Sequence, residues 1–164
     1  MIEGMVLKPN MVLPGLTCPE QESVDEVSDA TVQCLLRAVP AAVPGIAFLS
    51  GGQSGDLASA RLNAMNVRFK LRLPWALAFS FARAIQQPAL ELWRGEEANL
   101  LQAQQALYHR ARCNRAARRG TYDTAMETDG SESMPRKGRS ANGAPSPTVD
   151  QLQHSSPGGK ETHE

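Results

Sequence analysis

Val43-Pro44-Gly45-Ile46-Ala47-Phe48-Leu49-Ser50-Gly51-Gly52-Gln53-Ser54 is the stretch from which the fold can be read. Ile46 to Leu49 is continuously apolar and of strand length, the pattern of a parallel strand buried on both faces. The paired glycines let the chain turn tightly, and Ser54 stands where a helix running to about Asn66 needs its N-cap. The same grammar recurs on both sides. Upstream, Met5 to Leu7 leads into a Pro/Gly loop, Pro9 to Pro19, and then a helix from Glu20 to Val39. That helix has acids in its first turns, Arg37 near its end, and Val24, Val27, Thr31, Cys34 and Leu35 on one face. Downstream, Trp75 to Phe79 ends in Ser80-Phe81-Ala82-Arg83, and a helical stretch follows in which Pro88 must lie near a helix start or break the helix. Beyond Gly95 a long helical pattern, Glu96 to Arg119, closes on Gly120. Strand, helix, strand, helix, strand, helix, helix is α/β winding. Three such strands fit an open Rossmann-type sheet and a sector of a barrel equally well.

Composition narrows the function. The 164 residues carry 17 bases and 17 acids, divided 13 to 10 before Thr121 and 4 to 7 from there on. Neither half has the dominant basic field expected of a chain that grips nucleic acid or an anionic membrane. No stretch has the roughly 20 apolar residues needed to span a bilayer, and the start lacks a basic, cleavable leader, which reads as a soluble, cytoplasmic chain. Cys18, Cys34 and Cys113 are odd in number and without a C-x-x-C pair, so neither a disulfide framework nor a zinc site is expected. From Thr121 on, Ser, Gly, Pro, Thr, Asn and Gln dominate, and such a segment buries too little apolar surface to offset its ordering entropy.

Three places carry chemistry. Lys8 is a lone lysine where Met5-Val6-Leu7 ends and Pro9-Asn10 begins. Partial desolvation there would disfavour the ammonium form and leave a nucleophilic amine, the requirement for Schiff-base formation. Ser50-Gly51-Gly52 lies between a strand and a helix, so loop amides and the helix N-terminus can meet an anion. Ser80 and Arg83 follow the next strand in the same way, and the arginine fork suits a phosphate. Anion-ready loops after consecutive strands resemble the way barrel enzymes build phosphate sites.

The text Glu3-Gly4-Met5-Val6-Leu7-Lys8-Pro9-Asn10-Met11-Val12 closely resembles the active-site signature of class I fructose-bisphosphate aldolases. The resemblance continues through Val43 to Ser54, through Leu62-Asn63-Ala64-Met65-Asn66 and through Trp75 to Ala84, and persists to about Tyr122. It implies that the α/β chain is the C-terminal part of a (β/α)8 TIM barrel, its last three strands and their helices, over residues 1–122, with 123–164 a disordered tail. It implies that Lys8 forms the Schiff base, that Ser50, Gly51, Gly52, Ser80 and Arg83 hold the sugar's 1-phosphate, and that no metal or cofactor is needed. The reaction so implied is cleavage of fructose 1,6-bisphosphate to dihydroxyacetone phosphate and glyceraldehyde 3-phosphate in glycolysis. Sugar phosphates are the expected ligands, with a homo-oligomer or the N-terminal barrel portion as partner. The family's acid/base carboxylates fall outside the matched strands, and Glu3, at odd spacing from Lys8, is expected on the opposite strand face. Ala82 stands where family members usually have glycine. The alternative reading is a noncatalytic sugar-phosphate-binding or scaffold piece.

The remaining features have plainer expectations. Arg110, Arg112, Arg115, Arg118 and Arg119 read as the solvated face and basic end of the last helix. His109 and His154 show no partner at ligand spacing, and Trp75 and Trp93 read as packing residues.

Overall fold

The computed structural model describes residues 1–15 and 17–128. Three parallel strands, β1 (Val6–Leu7), β2 (Gly45–Phe48) and β3 (Ala76–Phe79), form one sheet in the order β1-β2-β3. Val6 pairs with Gly45, and Gly45 in turn with Ala76, so the strand starts are level. Between them run α1 (Val24–Ala38) and α2 (Gly55–Arg68), and after β3 come α3 (Arg83–Trp93) and α4 (Leu100–Arg119). The α/β order read from the sequence is therefore present, and no described helix is long and apolar enough to cross a membrane. Of the 123–164 segment, Thr124–Glu127 forms a short 3-10 helix against the body; residues 129–164 lie outside the described residues.

The core follows from the apolar runs. Ile46 and Phe48 of β2 and Leu77 of β3 are buried, and they pack with Val27 and Val32 of α1, Leu62 and Met65 of α2, and Cys113 and Ala117 of α4. Each large side chain taken fully out of water contributes roughly 1.5–3 kcal/mol. Trp75 is buried as expected, its Nε1 donating to the Pro40 carbonyl at 2.9 Å. Trp93 is not: it is 40% exposed at the end of α3.

Several local expectations change for identifiable reasons. Helix α1 starts at Val24 rather than Glu20, because Ser23 and Glu26 form a reciprocal capping box. Its inward face is Val27, Ser28, Thr31, Val32 and Leu35, with Cys34 exposed. Glu3 belongs to a 3-10 turn, Ile2–Gly4, so strand alternation does not govern its direction. Pro88 neither starts nor ends α3 but lies inside it. The carbonyl it leaves without a helical donor is that of Ala84, which abuts Gly55 of α2.

Candidate functional site

The loops after the three strands are stitched together beyond the strands themselves. Leu49 N–H donates to the Pro9 carbonyl at 3.0 Å, and Ser80 N–H to the Phe48 carbonyl at 2.7 Å. Gly51 and Gly52 both have positive φ, +61° and +87°. A β-carbon on Gly51 would overlap the side-chain amide of Asn10, two residues from Lys8. The glycine pair thus serves two ends: a left-handed backbone, and the close approach of the lysine segment to the loop.

Ser50, Gly52, Gln53, Ser54 and Gly55 face Arg83, Ala84, Gln87 and Pro88 across an open cleft of about 440 Å³. The βα loop after β2 and the first turns of α3 therefore do converge. Of the residues singled out in the sequence, Ser50, Gly52 and Arg83 line this cleft, whereas Lys8, Gly51 and Ser80 do not. Ser50 is buried, Ser80 half-buried, and Arg83 exposed. Lys8 is exposed too, against the partial desolvation expected of it. Strand β1 is two residues long and has β2 beside it on one side only among the described residues, so nothing covers the lysine. Ala82, at the N-cap of α3, has φ −88°, a conformation open to any residue, so the glycine usual in the family is not required by the backbone here.

Residues given no role by the sequence shape the loop. The Gln53 side-chain amide donates to the Ser50 carbonyl at 2.8 Å and approaches the Met11 sulfur at 3.6 Å, while its oxygen accepts from Arg61 Nη1 at 2.9 Å. Arg61, buried on α2, also donates to the Glu22 carbonyl at 3.0 Å. At the start of α2 the Ser54 hydroxyl bonds the Asp56 carboxyl, and this, outweighing burial, holds that carboxyl below its ordinary range.

Behind the cleft lies a buried polar cluster that departs from the expected solvated helix face. Arg110 is 7% exposed and grips Glu127 with both terminal nitrogens, at 2.5 and 2.9 Å. Tyr122 donates to the same carboxylate at 2.7 Å. Burial alone would raise the Glu127 carboxyl, but these donors outweigh it and lower it; burial and the same carboxylate push the Tyr122 hydroxyl upward. His109 does have partners at ligand spacing after all: Cys113, one turn on, at 3.7 Å, and Glu127 at 3.4 Å. Both Glu127 oxygens already accept from the Arg110 guanidinium, so the carboxylate of this trio is engaged in an ion pair and is not free to complete an open metal cage. His154 lies outside the described residues.

The family model described as glycolytic, fructose-bisphosphate aldolase class-I, matches residues 1–139. The chain belongs to the class I fructose-bisphosphate aldolase family. It is 52% identical to fructose-bisphosphate aldolase B of Gallus gallus over 128 residues, which are 78% of this chain and 35% of that one. Against fructose-bisphosphate aldolase C of Homo sapiens the identity is 49% over 129 residues, 79% of this chain and 35% of that protein. A solved fructose-bisphosphate aldolase from Plasmodium falciparum, crystallised in complex with TRAP and a small-molecule inhibitor, superposes with a TM-score of 0.69 at 43% identity, covering 74% of this chain and 35% of its own. The chain thus spans about a third of the length of the relatives it matches.

Proposed function

We propose that this chain contributes the imine-forming lysine and one phosphate-binding cleft of a class I fructose-bisphosphate aldolase, cytoplasmic and acting on sugar phosphates in glycolysis. The observation that supports this most is the meeting of the two loops, after β2 and β3, in one cleft, with Gly51 held against Asn10 of the Lys8 segment. Loop amides and the α2 N-terminus supply donors at the cleft, and Arg83 supplies the matching charge.

In the proposed reaction the Lys8 amine attacks the ketone carbon of fructose 1,6-bisphosphate and water leaves, giving a protonated imine. A base takes the proton of the C4 hydroxyl, glyceraldehyde 3-phosphate departs, and the C3–C4 electron pair is drawn into the iminium as an enamine. Protonation and hydrolysis return the amine and dihydroxyacetone phosphate. The cleft contributes orientation, holding the ketone near the amine. The carboxylates that move the protons belong, on this reading, to further barrel strands, brought by an N-terminal portion or a partner subunit.

Exposure of Lys8 favours a second reading, a sugar-phosphate-binding piece without catalysis. One experiment separates the two. The chain is incubated with dihydroxyacetone phosphate and borohydride, and the peptides are searched by mass spectrometry. A reduced adduct on Lys8, absent from Lys8→Met, is expected for the aldolase reading. No adduct in the chain, with a full-length aldolase labelled in parallel, would leave phosphate binding as its function.

A further inference from the structure

Gly55 opens α2 and lines the cleft, and its other side is tightly occupied. A β-carbon there would lie 2.9 Å from the Ala84 carbonyl oxygen, 3.1 Å from Arg110 Nε and 3.3 Å from the Arg110 guanidinium carbon. A buried cation therefore sits one backbone thickness behind the anion cleft. Its Nε–H has no partner among the described residues, while Nη1 and Nη2 are taken by Glu127 and Nη2 also reaches the Ser59 hydroxyl at 3.2 Å. The charge of Arg110 reaches the mouth of α2, where its effect on the Asp56 carboxyl is downward but small, behind the hydrogen bonds from Ser54 and from the Leu57 and Asp56 backbone.

Glu127 is the counterion, and it comes from the 3-10 helix Thr124–Glu127, beyond the end of α4. The two opposed charges are both partly withdrawn from water, so neither is screened as it would be on the surface. An anion in the cleft is attracted by Arg110 and repelled by the Glu127 carboxylate lying beyond it. The balance depends on the carboxylate being docked.

Resting on the phosphate reading of the cleft, we infer that Arg110 is a positioning residue for the bound anion, and that the segment 124–127, through Glu127, sets how tightly the cleft holds phosphate. Arg110 touches no ligand. It props Gly55 and supplies field from behind, and Glu127 attenuates that field.

Inorganic phosphate, titrated into the full chain and followed by calorimetry or 31P line position, tests this with charge-selective variants. Arg83→Gln first establishes that binding is in the cleft. Glu127→Gln keeps the shape of the side chain but removes its charge, whereas Arg110→Gln removes the opposite charge together with the guanidinium that lies against Gly55. Both are expected to lower the melting temperature, since each breaks a buried pair. Phosphate affinity is expected to move in opposite directions: severalfold tighter in Glu127→Gln and weaker in Arg110→Gln, with the two effects shrinking in high salt. Arg110→Lys is expected to fall between wild type and Arg110→Gln. A purely structural role would weaken binding in both. Unchanged or weaker binding in Glu127→Gln overturns the inference, and does so even if Arg110→Gln fails to fold. Absence of Arg83-dependent binding in the wild type removes the phosphate reading itself, and the inference with it.

Discussion

Gly51 brings together at one residue the two halves of the candidate site. Its φ of +61° is strained for any side chain, and the Asn10 amide fills the space where a β-carbon would go. Gly51→Ala is expected to cost about 1–3 kcal/mol of stability, read as a lower melting temperature, and to weaken phosphate binding by pushing Asn10 and the Lys8 segment off the loop. A stable Gly51→Ala with full phosphate affinity would show that the apposition is incidental. The glycines were legible in the sequence because the demand they meet is local, a backbone angle. Lys8 was legible as a position and misjudged in environment, because desolvation is set by neighbours and β1 has only one. Gln53 and Arg61 were present in the text but silent. Their partners, Met11 and Glu22, are 42 and 39 positions away, and no periodicity carries such a distance. Arg110 misled for the same reason, its counterion Glu127 lying 17 residues on in a segment whose composition suggested no structure.

Among elements, the helices were placed well and their ends less so. Helix α1 shows why: the acids from Glu20 onward favour a helix start by charge, yet the start is fixed by geometry at Ser23, whose hydroxyl accepts from Glu26 N–H while the Glu26 carboxylate accepts from Ser23 N–H. The Ser-x-x-Glu spacing was on the page to be read. Ser23→Ala is expected to cost ~1 kcal/mol, measurable as a shifted chemical denaturation midpoint with unchanged slope; no shift would mean that the charge pattern alone starts the helix. Pro88 was the harder case. A proline within a helix is disfavoured by the helix itself, and only a neighbouring element could show that the released Ala84 carbonyl has a place to lie, against Gly55.

At the scale of the molecule, the sheet has two outer strands and no closure among the described residues. Val6 of β1 is 66% exposed, with Met5 beside it, and Leu90, Leu92 and Leu101 are exposed on α3 and α4. Unpaired parallel edges flanked by apolar side chains are templates for another chain. Sedimentation velocity is expected to show association that grows with concentration, and Val6→Lys to reduce it. A wild-type chain that stays monomeric across the range would show that these edges are protected by other means.

The Gln53 side chain described above touches the Ser50 carbonyl, Met11 and Arg61, and Arg61 in turn holds Glu22. The shape of the glycine loop is thereby borrowed from segments far along the chain. The five letters Ser50 to Ser54 are for that reason not a portable module. Transplanted into another scaffold without Met11, Arg61 and the Glu22 backbone, they would carry the spelling of the proposed anion site without its conformation. By the same logic, a sequence that has kept the letters but lost those distant supports is a poor candidate for having kept the site.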